Sequence, residues 1–346
     1  MKLSSRTKAV AQSLFAITIG LLIGSLLMII FRFNPINAYY ALFVGAFGSL
    51  SDVLETLAFA VPLMLTGLTF AVGVRAGLFN IGAEGQMYLG ALAAVVVGGN
   101  LDLPFGLGVV CATLAGAFVS LLWSLTPAVL KVTRGVHEVI STIMFNWIAF
   151  WLTTYLIVYH FGDPTSAERS IRVLPSARYL VLFEGSTLTT VIFVAVAYCV
   201  FVYFILWGTK AGYELRVEGA NPDAGRYAGI RDWKTVLLAF MLGGIASGVA
   251  GASQIIGRPP VWSFYATLGN VAGLGFDGLG VALIGRNHPI GVIVASIFFG
   301  ALIQGSRYMQ YNAGVYFELV RAITGIIIIA LSVPEAISIF RKWARK

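Results

Sequence analysis

About ten apolar stretches alternate with short polar breaks along the chain, near 9–31, 57–75, 80–99, 105–127, 139–160, 187–207, 235–256, 266–285, 289–306 and 316–333. Each approaches the roughly 20 residues that an α-helix needs to cross hydrocarbon. The pattern predicts an all-α fold, a polytopic transmembrane helical bundle forming a single domain over 1–346. The first stretch follows Lys2, Arg6 and Lys8 as a signal peptide does, yet its apolar run is too long and no small-x-small cleavage site follows it. It reads as an anchor that stays.

One segment departs from this rhythm. Between the sixth and seventh stretches, residues 212–230 read GYELRVEGANPDAGRYAGI and carry Glu214, Arg216, Glu218, Asp223 and Arg226. A charged run of this kind is the natural contact with a soluble partner. A solvated loop is the plainer account of the same composition.

Composition sharpens the membrane reading: hydrophobic residues make up 58% of 346 positions, charged residues 11%, and there are 39 glycines. Placing the N-terminus inside puts 16 of the Lys and Arg residues at cytoplasmic ends against 6 outside, with Arg321 inside the last stretch. By the positive-inside rule this predicts ten spans with both termini cytoplasmic, and it accounts for the net charge of +8. No basic stripe with interleaved aromatics is present, so nucleic acid is not an expected partner. Cys111 and Cys199 both fall inside apolar stretches and read as small hydrophobes.

Two motif matches fail, and a third motif is absent. Gly273, Gly275 and Gly278 spell G-x-G-x-x-G, but a run of this hydropathy leaves no place for a βαβ unit. His137-Glu138 begins a metalloprotease motif whose second histidine position holds Ser141, and no metal site is expected. The sequence contains no G-x-x-x-x-G-K-[ST] phosphate loop, so an ATP-driven process would need its ATPase on another chain.

The glycines point to helix packing and to interruptions. Gly20/Gly24, Gly73/Gly77, Gly244/Gly248 and Ser247/Gly251 are small-x-x-x-small pairs of the kind that bring helix backbones together in lipid. The run Ala76 to Gln86 places Asn80, Glu84 and Gln86 among Gly77, Gly82 and Gly85, as in a broken helix whose freed amides line a cavity. A second version, Ala272 to Gly278, carries Phe276 and Asp277 and suggests an internal repeat. Glu138, Thr142 and Asn146 share one face of a helix, with Thr153 further along, and such groups face protein or water rather than lipid. Acidic groups deep in the spans are few, which counts against an ion-coupled carrier.

Four blocks taken together resemble the permease subunits of bacterial ABC importers for branched-chain amino acids, ribose-type sugars and nucleosides. They are GLFNIGAEGQMYLGA (Gly77 to Ala91), HEVISTIMFNWIA (His137 to Ala149), Gly219 to Ile230, and GLGFDGLGVALIGRNHPIGV (Gly273 to Val292), and they follow the family's order over most of the chain. The His137 block is most similar to the nucleoside branch, which works with basic membrane lipoproteins. Where relatives commonly read R-A-V-G-x-N-P-x-A-A, this chain reads Arg216-Val217-Glu218-Gly219-Ala220-Asn221-Pro222-Asp223-Ala224-Gly225.

The resemblance implies a transport subunit without its own ATPase site, importing nucleosides across the bacterial inner membrane. It implies ATP and Mg on a partner ABC ATPase, with no cofactor in this chain. A second permease chain or a copy of this one, and an extracytoplasmic binding protein or lipoprotein, would complete the system. The coupling segment would be 208–234, with Glu214, Arg216, Glu218, Asn221, Asp223 and Arg226 facing the ATPase. The charged stretch 161–185 would meet the binding protein. Asn80, Glu84, Asn146, Trp147, Phe276 and Asp277 are the expected pathway residues, with Trp147 as a stacking platform for a base. Sugar or branched-chain amino acid import by the same machinery is the alternative. An ion-coupled secondary carrier is the alternative of a different class.

Overall fold

The computed structural model describes residues 5–104, 106–316, 318–323, 325, 326 and 329 of the chain. Helices dominate: α1 (Ser5–Ile30), α2 (Pro35–Phe47), α3 (Leu50–Arg75), α4 (Ala83–Asn100), α5 (Leu107–Arg134), α6 (Glu138–Tyr159), α7 (Val191–Gly208), α8 (Lys210–Ala220), α9 (Pro222–Tyr227), α10 (Asp232–Ile255), α11 (Leu274–Ile284) and α12 (Pro289–Ala313). The described strands are a short antiparallel pair, β1 (Gly162–Asp163) and β2 (Ser166–Ser170), in the α6–α7 connection.

Six helices, α3, α5, α6, α7, α10 and α12, are long and apolar enough to span a membrane, and Thr18–Ile30 and α11 are shorter apolar helices. Six of the ten expected stretches correspond to these six helices, so the expected count of about ten spans is not confirmed; the stretch at 80–99 is met by α4, which is not one of the six. The span expected at 57–75 begins at Leu50, preceded by a helix, α2, that no stretch anticipated. Its start is set by Asn34, whose side chain accepts from the amides of Ile36 and Asn37, with Pro35 in the first turn where no N–H is needed. The span expected at 266–285 is helical only from Leu274. The stretch at 316–333 lies partly outside the described residues.

The chain divides into two compact units, Met1–Thr56 with Phe298–Lys346, and Leu57–Ile297. In the first, the Tyr39 hydroxyl donates to the Leu21 carbonyl at 2.7 Å. The absence of side chains at Gly45 and Gly305 lets Tyr308 and Leu42 pack there.

The second unit is built on α4, α5 and α10, whose contacts are nearly bare backbone. A methyl group at Gly90 would sit 2.6 Å from the Gly248 Cα, and one at Gly251 would sit 2.6 Å from the Ala91 nitrogen. Ser120 and Ser124 of α5 donate to the Gly244 and Phe240 carbonyls of α10 at 2.7 and 2.9 Å. The Gly244/Gly248 and Ser247/Gly251 pairs thus pack helices as expected, because close approach adds dispersion contact where lipid offers no hydrophobic drive.

Around this core, residues 256–273 run without regular helix, and the α6–α7 connection supplies partners for part of their backbone. Ser170 and Val173 amides donate to the Phe264 and Trp262 carbonyls, Tyr179 to Ile256, and the Ala266 amide to Glu168, each at 2.8 to 2.9 Å. Irregular backbone persists in a membrane protein where other protein segments supply its partners.

Candidate functional site

The two interruptions picked out in the sequence meet at one carboxyl group. Residues 76–82 separate α3 from α4, and Glu84 stands in the first turn of α4, 2% exposed. Its carboxyl accepts from the Gly273 and Phe276 amides at the start of α11, and from the Tyr88 hydroxyl at 2.6 Å. Glu84 therefore caps a helix from another part of the chain, satisfying amides that have no partner within α11.

Close approach makes this possible. Gly273 takes φ +90°, and a methyl at Gly275 would lie 2.5 Å from the Glu84 Cα. A methyl at Gly278 would lie 2.7 Å from the Thr66 carbonyl carbon of α3. The G-x-G-x-x-G spacing thus serves helix packing: one glycine turns the chain and two admit neighbouring backbones.

The 76–82 break is tied down from α6. Asn146 accepts from the Gly85 amide at 2.9 Å and donates to the Ile81 carbonyl at 2.8 Å. Glu138 accepts from the Phe79 amide at 3.4 Å and pairs with Lys131 of α5 at 2.6 Å. Asn80, 2% exposed, accepts from the Gly82 amide at 2.9 Å and from Gln86 Nε2 at 3.5 Å. The Asn80 Nδ2 and Gln86 Oε1 atoms have no partner among the described residues.

Of the expected pathway residues, the structure brings together Asn80, Glu84, Asn146 and the backbone of Phe276. The Phe276 ring is 49% exposed beside this junction, and Asp277 is half-buried one residue on. Trp147 points elsewhere: it is 61% exposed and its ring meets Phe150 edge-on at 5.9 Å. Sequence reasoning missed Tyr88, whose signal was its position one turn after Glu84 on the same helix face.

The charged segment forms two short helices. Thr209 caps α8 by accepting from the Gly212 amide, and Asn221 caps α9 by accepting from the Asp223 and Ala224 amides at 3.1 and 3.2 Å. Glu214 lies 3.7 Å from Lys210, Asp223 lies 3.8 Å from Arg226, and Arg226 pairs with Asp232 at 3.1 Å. Arg216 turns inward, its Nε donating to the Leu206 carbonyl at 3.0 Å.

Glu218 is buried, its Oε2 without a hydrogen-bond partner among the described residues. Burial, then the charges of Asp232 and Asp223 against that of Arg226, pushes its carboxyl above the ordinary range. The Glu218 carboxylate packs against Gly225, where a methyl would require it to shift. A methyl at Gly219, next to Glu218 in the last turn of α8, would lie 2.7 Å from the Gly77 nitrogen, so this end of the helix rests directly on the break between α3 and α4.

Residues 52–332 match the family model described as "Branched-chain amino acid transport system / permease component". The chain belongs to this permease family. It is 36% identical over 327 residues to the guanosine ABC transporter permease protein NupP of Bacillus subtilis, covering 94% of this chain and 93% of that one. It is 32% identical over 347 residues to the nucleoside ABC transporter permease protein NupB of Lactococcus lactis subsp. cremoris, covering 97% and 94%. A glucose ABC transporter permease protein, TsgB13 of Haloferax volcanii, is 32% identical over 339 residues, covering 93% and 87%. As a permease the chain is a transport component, and its apolar helices fit a multi-pass membrane protein.

Proposed function

We propose that this permease moves nucleosides inward across the bacterial cytoplasmic membrane, driven by ATP and Mg on a separate ABC ATPase subunit. The observation that carries the reading is near full-length similarity to two permeases named for guanosine and nucleoside transport. In this reading ten spans cross the membrane with both termini cytoplasmic, counting interrupted segments such as α4 and α11. The two half-helices that meet at Glu84 form the repeat-like centre. A second permease chain faces it across the pathway, and an extracytoplasmic binding protein or lipoprotein delivers substrate to the 161–185 connection.

Within the site the roles divide. Glu84, Asn80 and Asn146 hold the break, while Phe276 and Asp277 stand on the exposed side of the junction and face the pathway. Trp147, on a different side of α6, meets substrate only where a second chain closes over it. The segment 208–234 couples to the ATPase, with Glu214, Asp223 and Arg226 outward, Asn221 setting the turn, and Arg216 and Glu218 bracing α8. The Gly219–Gly77 contact then carries movement of α8 to the break. The glucose permease relative supports a second reading, sugar import by the same machinery.

The test is co-purification and coupled ATP hydrolysis of the assembled system. Replacing Glu218 and Arg226 by Ala is expected to weaken ATPase association and uncouple hydrolysis from transport. Unchanged association and coupling overturns the assignment of 208–234. Cysteine at 276 and 277, in a background lacking Cys111 and Cys199, is expected to react with a small water-soluble thiol reagent in at least one nucleotide state. Protection in every state overturns the pathway placement.

A further inference from the structure

Arg75, at the end of α3, and Arg216, in α8, both reach the indole of Trp207 in the last turn of α7, with guanidinium carbons 5.6 and 5.5 Å from the ring centroid. Tyr203, one turn earlier, stacks on the same indole at 5.2 Å and 24°. His288 approaches the Trp207 and Tyr203 rings at 4.7 and 5.5 Å.

Backbone carbonyls fix both guanidiniums without neutralising them. Arg75 donates from Nε and Nη2 to the carbonyls of Asn287 and Arg286 at 2.8 and 3.1 Å, and Arg216 donates from Nε to Leu206. Neither has a carboxylate within ion-pair distance among the described residues. The two charges are close enough to repel each other. Other held cations are paired, Lys131 with Glu138, Arg169 with Asp163 and Arg226 with Asp232, whereas Arg178, which donates to the Val173 carbonyl beside Trp262, has no carboxylate within ion-pair distance among the described residues either. The Nη groups of Arg216 make no hydrogen bond among the described residues.

Two unneutralised guanidiniums, fixed in place with donors to spare, match the oxygens of a phosphate group. The surroundings favour a phosphate attached to lipid. Tyr and Trp at the end of a span lie at headgroup depth. The helix that carries them, α7, has mean hydropathy 2.5 and exposes Phe201 and Phe204 on its surface, which acyl chains would cover. We infer that Arg75, Arg216 and Trp207 form a binding site for the phosphate of an anionic phospholipid, as basic pockets between helices do at charged membrane faces. The site is independent of which substrate the permease carries.

The assembled transporter, purified and reconstituted in phosphatidylcholine nanodiscs, provides the test, with phosphatidylglycerol added in steps and retained lipid counted by native mass spectrometry. Wild type is expected to retain phosphatidylglycerol in preference to phosphatidylcholine. Arg216→Gln is expected to weaken that retention about fivefold, the effect of one cation near a charged membrane surface. Arg216→Lys should keep most of it, and Lys234→Gln, which removes equal charge beside Trp233, should leave it unchanged. Inorganic phosphate at millimolar concentration should not displace the lipid. If Arg216→Gln fails to fold, Trp207→Phe, which keeps an aromatic ring but weakens the cation contact, is expected to lower retention in its place.

Equal retention of the two lipids by wild type overturns the site. Equal losses in Arg216→Gln and Lys234→Gln would mean diffuse charge attraction and overturn it as well. Displacement by inorganic phosphate would assign the site to a soluble phosphate compound instead of lipid. Loss of the ATPase subunit from Arg216→Gln with lipid retention intact would assign Arg216 to a protein partner and overturn the inference.

Discussion

Replacing Glu84 by Ala removes the group on which both interrupted helices depend. The change strands the Gly273 and Phe276 amides and the Tyr88 hydroxyl, all of which now donate to the carboxyl. Buried hydrogen bonds contribute about 0.6 kcal/mol each in membrane bundles and about 1.5 kcal/mol in water-soluble cores, so the three bonds bracket about 2 to 4.5 kcal/mol. The space vacated by a side chain that is 2% exposed adds roughly 1 to 2 kcal/mol. The expected destabilisation is therefore about 3 to 6.5 kcal/mol. Glu84→Gln, which keeps the shape and one accepting oxygen, should cost about 1 to 2 kcal/mol by the same accounting.

Equilibrium unfolding of the solubilised chain, followed by circular dichroism against rising detergent denaturant, measures both variants. Near-wild-type stability of Glu84→Ala, within about 0.5 kcal/mol as for a substitution that touches nothing, would refute the reasoning. The start of α11 would then be held by packing alone.

Asn146→Ala should destabilise by about 2 kcal/mol, because the Gly85 amide and Ile81 carbonyl lose their side-chain partner; the same unfolding assay checks it. Gly248→Ala should cost about 1 to 3 kcal/mol by overpacking, since its methyl would fall 2.6 Å from Ser120 Cβ and 2.8 Å from Ala117 Cα. Wild-type melting of that variant would contradict the bare-backbone core. Glu218 has a carboxyl raised above its ordinary range in the fold, so its contribution to stability is fully present below the ordinary carboxylate value and is lost as pH rises through the raised one. Glu218→Gln should flatten the melting temperature between mildly acidic and neutral pH and stabilise the neutral end; an unchanged pH profile would contradict this.

Much of this architecture was legible because hydropathy and spacing report local requirements. The long spans, the glycine pairs on α10, and the polar face of Glu138, Thr142 and Asn146 followed from periodicity alone. Both interruptions also announced themselves, by polar residues among glycines. Long-range partnerships were not legible. The carboxyl of Glu84 caps α11 across 189 positions of sequence, and Gly219 rests on Gly77 through nothing that either residue's neighbours reveal. Residues 266–273 are apolar enough to be taken for helix, yet they form local turns whose ends are held from afar, the Ala266 amide by Glu168 of the α6–α7 connection and the Gly273 amide by Glu84, which no hydropathy window sees. At 13 residues, α2 falls below the length of a span, although Asn34-Pro35 was a readable start signal. The resemblance of the His137 block put Trp147 and Asn146 together in the pathway, but successive side chains on a helix point about 100° apart. One of the two faces the break and the other is exposed.

The central claim is that this permease carries nucleosides, powered by a separate ATPase. Uptake of radiolabelled uridine, adenosine, ribose, glucose and leucine, by cells expressing the complete system with and without this chain, tests it most directly. The account predicts nucleoside uptake that requires this chain, fails when the ATPase subunit is inactivated, and survives collapse of ion gradients while ATP is maintained. Chain-dependent uptake of ribose, glucose or leucine with no nucleoside uptake would contradict it, as would nucleoside uptake that an ionophore abolishes and ATPase inactivation does not.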